Sequence, residues 1–465
     1  MHLCGELNIQ SYTTSIGING KPFIPIIEFG DQYVGLWGPV VRLILFNPNY
    51  IQDVLKTKYM YYSKTSLLTG LLSPIIGTEN LLLSNVSTHS RARKMINPAF
   101  HSSNLISMID IMTEETSKLL NEWIEKINNS NNKIILEMNR EFSGLTLDII
   151  SNCAFGTGII NEYEAKEVIY DTFSVIIDMF INRLMNLVGV LPIIKYLPLR
   201  SKRETDNGVK KLECIVHKLI EQRKQGKSQS LCKNNDLLDL LLTAKDSKTG
   251  MGFNNKEIRD HVITFILAGH ETTANLMTWT MYQLSKHPDV LAKAREEIES
   301  VLGNQLYPQA TNLSQLKYIE AILQESLRIF PPVALIDREA IIDHEIHDNQ
   351  NDTKIFISKG TTVLIPIMVI HRLDKLGWTN PETFDPTRFL NPEEKLYRHP
   401  YSYLPFSIGT RNCIGQNFAM EESKIMLSMI LQRFNFELVP GQNIVPDLKI
   451  ALRPKNGLYM YISQR

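Results

Sequence analysis

Cys413 stands in the segment of this 465-residue chain whose residue types are best arranged for chemistry. Residues 406–415 read FSIGTRNCIG, and a helical pattern follows over 414–434. The start of a helix offers free N–H groups and the positive end of a dipole. Both favour a thiolate, which is a nucleophile and a metal ligand. Gly409 and Gly415 flank the cysteine; glycines there permit positive φ and let a flat, bulky group approach the backbone. Arg411, two residues earlier, is placed to neutralise an anionic partner. Taken alone, the segment fits a buried structural cysteine in a glycine-rich turn equally well.

Other chemistries are excluded by pattern. The five cysteines (Cys4, Cys153, Cys214, Cys232, Cys413) form no CxxC pair. An odd, sparse set argues against a disulfide framework and a structural zinc site, and makes a reducing compartment the default. GTRNCIG lacks the Lys-Ser/Thr ending of a phosphate loop, and no GxGxxG follows a strand, so this chain is not expected to bind nicotinamide or flavin itself. Lys plus Arg and Asp plus Glu number 49 each, so no basic excess points to nucleic acid. With 43% hydrophobic and 21% charged residues the chain reads as folded. It has no run of about 18 apolar residues, and its first twenty residues lack a signal-peptide layout, so any membrane contact is expected to be peripheral.

The elements that must position Cys413 are mainly helical. Apolar residues at three-and-four spacing predict helices over 104–127, 162–186, 205–224 and 255–285. Residues 21–62 and 333–370 predict short strands. The Asn-rich piece 128–133 reads as a surface turn, and 378–412 as irregular and Pro-rich. The tail ALRPKNGLYMYISQR predicts a hairpin with a Lys-Asn-Gly turn. The expected fold class is mainly α with small β-sheets. No linker divides the chain, so 30–465 is read as a single domain after a short segment, 1–29.

The order Phe406-x-x-Gly409-x-Arg411-x-Cys413-x-Gly415 resembles the haem-binding loop of the cytochrome P450 family, where the cysteine thiolate ligates iron. Three further segments match that family in its order. Ala268-Gly269-His270-Glu271-Thr272-Thr273 looks like its oxygen-activating helix. Oxygen activation needs two protons before the O–O bond breaks, and an acid (Glu271) beside a hydroxyl (Thr272) can relay them. Small Ala268 and Gly269 leave space and loosen the helix, whereas His270 reads as a core or surface histidine. Glu325-Ser326-Leu327-Arg328 puts Glu325 and Arg328 on one helix face. By resemblance they join Arg388 in a buried structural network. His89-x-x-x-Arg93 stands where the family has Trp-x-x-x-Arg against a haem propionate, with Arg338 and Arg411 as further partners. Arginine's fork suits a carboxylate.

The resemblance implies a cytochrome P450-like fold holding haem b on Cys413. It implies a monooxygenase that hydroxylates an apolar small molecule (lipid, sterol or xenobiotic) using O2. Electrons would come from an NADPH-cytochrome P450 reductase-type flavoprotein, with Arg91, Lys94, Arg398 and Lys424 as its docking charges. Pocket walls would come from 65–85, 170–196, 262–270, 333–337 and 446–452. Ala268 stands where some fatty-acid hydroxylases carry an acid ester-linked to haem, so no such link is expected. The location implied is the cytosolic face of the endoplasmic reticulum membrane. The apolar stretch 184–199 would supply the peripheral membrane contact, because this chain shows no anchor; 1–29 would be a remnant of the hinge region that follows one. Two alternatives stand: a peroxide isomerase or dehydratase of the same fold, and a non-enzymatic haem-binding sensor.

Overall fold

The computed structural model describes residues 26–29, 32–37, 40–156, 168–169, 172, 200–232, 236–449 and 451–465. The helix expected over 162–186 and the apolar stretch 184–199 lie outside the described residues.

Among the described residues ten principal helices carry the fold: α1 (Ser66–Ile76), α2 (Val86–Ile96), α3 (Ser102–Asn128), α4 (Met138–Phe155), α5 (Arg200–Lys224), α6 (Leu237–Thr243), α7 (Asn255–Lys286), α8 (Pro288–Leu302), α9 (Lys317–Ile329) and α10 (Gln416–Arg433). Helix α7 is the axis. Asn254 and Glu257 close a reciprocal capping box at its start, and Pro288 follows its end. Its 32 residues are buried nearly all round, which only a helix inside a helical bundle tolerates. Helices α3, α4, α7 and α10 pack into that bundle.

The strands are short and peripheral. Strands β1 (Ile26–Phe29), β2 (Gln32–Trp37), β3 (Val40–Leu45), β4 (Tyr62–Ser63), β6 (Ile336–Ala340) and β9 (Thr362–Ile365) form a sheet in the order β1-β2-β3-β9-β6-β4, with β5 (Ile134–Glu137) placed elsewhere. Only β3 and β9 run parallel in it. Strands β7 (His344–Asp348) and β8 (Thr353–Ile357) pair separately. Strands β10 (Phe434–Leu438), β11 (Pro446–Leu448), β12 (Leu452–Pro454) and β13 (Tyr459–Gln464) end the chain. The expected C-terminal hairpin is corrected here: the turn at 455–457 exists, but β12 pairs with β11 while β13 pairs with β10 and β5. Gly457 in that turn has φ +76° and packs against Glu137 of β5, so the chain crosses from one sheet to the other.

The mainly α class with small sheets is as the sequence implies. Beside a small cluster around Trp378, the core has a helical cluster and a sheet cluster. The segment around Cys413 joins them, with Phe406 and Ile414 on the helical cluster and Ile408 on the sheet cluster.

Candidate active site

The turn before α10 is held by its own backbone. Cys413 N–H donates to Phe406 O at 2.9 Å and Asn412 N–H to Gly409 O at 3.2 Å. Gly409 has φ +84°, and a Cβ there would lie 2.3 Å from Leu55 O, so no side chain fits. Gly415 differs from expectation. Its φ of −89° is open to any residue; it is the N-cap of α10, where a Cβ would sit 4.0 Å from Cys413 Sγ. The thiol also differs. Its pKa is raised by burial, which outweighs the Gly415 N–H and the Arg93 charge that lower it. The thiol is therefore not activated by the helix start alone. Cys413 nonetheless keeps accessible surface within the surrounding protein. A metal ion would supply the missing stabilisation, since a coordinated thiol loses its proton outright.

Cations converge beside this turn. Arg93 donates from Nη1 to Asn412 O (2.7 Å), from Nη2 to Asn412 Oδ1 (3.1 Å) and from Nε to Asn97 Oδ1 (2.8 Å), so it braces the cysteine turn directly. Arg411 donates from Nη2 to Ser84 O at 2.7 Å, but its Nη1 is buried with no partner among the described residues. Burial and neighbouring Arg338 lower its pKa to about 10. Arg338 is itself buried. His89, 5% exposed, is pushed down to about 3 by burial and by Arg411, Arg93, Lys64 and Arg338 together.

Lys64 is the member the sequence reading missed. Strand β4 pairs with β6 as Tyr62↔Ala340 and Ser63↔Glu339, so the register carries Lys64 toward a place opposite Arg338. Like charges placed so repel. Burial, Arg338 and Arg411 hold the Lys64 ammonium well below its usual range; Asp337 is the carboxylate that opposes them. That carboxylate also accepts from the Thr65 hydroxyl. The orphaned Arg411 donor and the excess of cations fit a group carrying two carboxylates, as haem does. Replacing Lys64 with Met is therefore expected to act in opposite directions. The haem-free protein should become more stable, while haem should leave the loaded protein roughly 10- to 150-fold faster, by the worth of one charged hydrogen bond. Transfer of haem to a competing haem-binding protein measures the second effect, and thermal unfolding of the haem-free form the first.

Between Asp260 and Met281, Ala268, Gly269 and Thr272 are the residues of α7 that are not fully buried, and they form one face. Thr272 Oγ1 donates to Ala268 O at 2.8 Å. Glu271 is buried, its Oε1 has no partner among the described residues, and burial raises its pKa to about 7 against the pull of Arg453 and Lys449. An acid near neutrality beside a hydroxyl can give and retake a proton. His270 is a core residue whose Nδ1 bonds Ile266 O at 2.7 Å. Gly269 does not loosen the helix, which is continuous there. A Cβ would lie 2.7 Å from Ile150 Cγ1, so glycine lets α4 pack against α7.

Glu325, Arg328 and Arg388 meet as the sequence implies, at 0%, 0% and 3% exposure, and Glu325 accepts from both arginines. The expected docking charges do not form one face. Lys424 is buried against Glu320 and Glu421, Arg398 lies 4.7 Å over the Trp378 ring, and Arg91 pairs with Glu257 at 2.6 Å. Lys94 is exposed. The other three long cationic side chains are engaged in packing and ion pairs.

A family model described as Cytochrome P450 matches residues 28–461. The chain is 33% identical over 436 residues to cytochrome P450 709B1 of Arabidopsis thaliana, covering 93% of this chain and 81% of that one. It is 30% identical over 437 residues to cytochrome P450 734A1 of the same plant, with 92% and 79% covered. It is 31% identical over 473 residues to cytochrome P450 4V2 of Rattus norvegicus, with 96% and 86% covered. The chain belongs to the cytochrome P450 family. It is thus an oxidoreductase of the haem-thiolate monooxygenase class, whose members take electrons from a redox partner and act on small molecules.

Proposed function

We propose that this protein hydroxylates an apolar small molecule, such as a lipid, sterol or foreign compound, with O2 and electrons from an NADPH-dependent flavoprotein reductase. Haem b bound to Cys413 supplies the oxygen-activating centre. The observation that carries the reading is the cysteine turn: an accessible thiol beside a glycine that admits no side chain, with unbalanced cations next to it. Arg411, Lys64 and Arg338, with His89, would hold the propionates, and Arg93 fixes the turn that presents the thiol. Glu271 holds a proton near neutral pH and passes it along the Ala268–Thr272 face through the Thr272 hydroxyl. The catalytic unit is one domain from residue 30 onward. It works at the cytosolic face of the endoplasmic reticulum membrane by peripheral contact. Among the described residues no helix is long and apolar enough to cross a membrane.

Replacing Thr272 with Ala tests the reading. The side chain is half-buried and bonds only its own helix, so stability should change by about 1 kcal/mol or less. Haem content should be retained. Product formed per NADPH consumed should fall several-fold, with hydrogen peroxide released in its place. An unchanged ratio removes Thr272 from the proton path. Full turnover without NADPH or reductase would favour peroxide rearrangement, and haem binding without NADPH-dependent turnover would favour a sensor.

A further inference from the structure

The cations beside the cysteine turn are of two kinds. The guanidinium groups of Arg93, Arg338 and Arg411 keep their protons; even Arg411, lowered to about 10, is still charged at neutral pH. Lys64 and His89 differ, because an amine and an imidazole can shed a proton to escape like charges. An indole, the ring expected at position 89 by family resemblance, has no such freedom.

The backbone holds both groups in place. Lys64 is the single residue between β4 and Thr65, whose side chain caps α1 and donates to Asp337. The pairing of β4 with β6 carries Lys64 toward Arg338, and it is partly buried. His89 is buried on α2, one turn before Arg93 and on the same face. The charges that face His89 are Arg411, Arg93, Lys64 and Arg338, all cationic. Those that face Lys64 are Arg338 and Arg411, opposed by the Asp337 carboxylate. Asp337 also faces Arg42 and Arg338, so one carboxylate is shared among three cations. Cys413 is not among the charges that face Lys64 or His89. In the haem-free protein, burial and these cations push His89 down to about 3 and hold Lys64 well below the ammonium range. Both groups are therefore neutral there near pH 7.

We propose that the propionate half of haem binding is proton-coupled: as the two carboxylates reach this cluster, Lys64 and His89 take up protons from solvent and become the cations that hold them. The proposal rests on the haem-thiolate reading. Only N–H bonds form, the protons come from water, and nothing is oxidised or reduced. Both groups have a higher pKa with the carboxylates present than without them. Their contribution to affinity is therefore full below the haem-free values. It falls by about tenfold per pH unit for each proton exchanged, until the pH passes the loaded values. For His89 that range starts at about 3 and ends near the ordinary imidazole range. For Lys64 it ends near the ordinary ammonium range, so at pH 8 the exchange belongs to Lys64. The proton that Cys413 gives up to iron is a separate exchange of opposite sign.

Iron-free protoporphyrin IX isolates the effect, because it keeps both propionates and leaves the Cys413 thiol protonated. Calorimetric titration of this porphyrin into the haem-free full chain, in buffers of different ionisation enthalpy, counts the protons taken up. Wild type should take up about one proton per porphyrin at pH 8. Lys64→Met should abolish that uptake, and so should Lys64→Arg, which keeps its charge, if the methionine variant does not fold. His89→Gln should leave the uptake at pH 8 intact and reduce the uptake at pH 6. The dimethyl ester of the porphyrin, which has no carboxylates, should bind without uptake. Competition for haem against another haem-binding protein extends the test to the loaded protein. Cys413 is common to both chains, so the affinity of wild type relative to Lys64→Arg should fall by up to about tenfold per pH unit above pH 7. Porphyrin binding with no dependence on buffer, uptake that persists with the dimethyl ester, or uptake unchanged in the Lys64 and His89 variants overturns the proposal. Failure of the haem reading would show instead as a wild type that binds neither the porphyrin nor haem.

Discussion

Cys413→Ala is expected to abolish monooxygenase activity and to remove the strongly red-shifted carbon monoxide band of a thiolate-ligated haem, while the protein still folds. The turn does not depend on the sulfur. Its hydrogen bonds run between backbone atoms of Phe406, Gly409, Asn412 and Cys413, and Arg93 grips Asn412. Removing one partly accessible sulfur from such a frame should cost about 1 kcal/mol, below the usual cost of a large-to-small change in a packed core. Chemistry has no such reserve. Among the described residues, Cys153 and Cys232 are buried between helices with pKa values raised by burial, and Cys214 is an exposed position on α5. None stands in a glycine-bordered turn before a helix. Wild-type protein that loads haem yet never shows the band, or an alanine variant that retains it, would assign the ligand elsewhere.

The same turn shows how far the sequence carried and where it stopped. Phe406, Gly409, Arg411, Cys413 and Gly415 were legible because each is a fixed residue type within ten positions. Local pattern also gave α7, since apolar residues at three-and-four spacing over 255–285 need no tertiary information. Lys64 was not legible: a lone lysine in YYSKTS gains meaning only when β4 pairs with β6, 276 residues away along the chain at Ser63 and Glu339. Of the expected docking charges, Lys424, Arg398 and Arg91 are engaged within the protein while Lys94 stays exposed. Charge in a sequence does not say whether a carboxylate will be folded against it, and Lys424 meets two. Gly269 was read for flexibility and serves close packing, because a missing Cβ looks the same in both cases until the neighbour, Ile150, is known.

Glu325→Gln is expected to be the most destabilising of the substitutions considered, and to act on haem binding through packing rather than contact. Glu325 Oε2 accepts from Arg328 Nε at 2.7 Å. Its Oε1 accepts from Arg328 Nη2 at 2.8 Å, Arg388 Nε at 3.0 Å and the Asp385 N–H at 2.9 Å. One buried carboxylate thus faces two buried guanidinium groups, whose remaining donors reach the carbonyls of His371, Pro381, Thr383 and Thr379. Glutamine keeps the shape but removes the charge and offers N–H donors to other donors. Breaking one side of a buried ion pair costs about 3–5 kcal/mol, a large part of the roughly 5–15 kcal/mol that holds a typical domain together. The damage has a defined route to the cysteine turn. His371, fully buried and held neutral with a pKa near 3, donates from Nδ1 to Arg328 O at 3.2 Å and accepts the Leu404 N–H on Nε2 at 2.7 Å. Tyr403 OH donates to Gln324 O at 2.8 Å. Residues 403 and 404 therefore hang from α9 immediately before Phe406, and loss of the network should loosen the turn before the rest of the fold melts. Haem content should fall first, then the unfolding midpoint in denaturant. Glu320→Gln on the same helix is the control. Glu320 pairs with Lys424 but is partly exposed, and its loss should cost about 1 kcal/mol or less. Should the two variants prove equally stable, the buried network would carry no more weight than a surface ion pair.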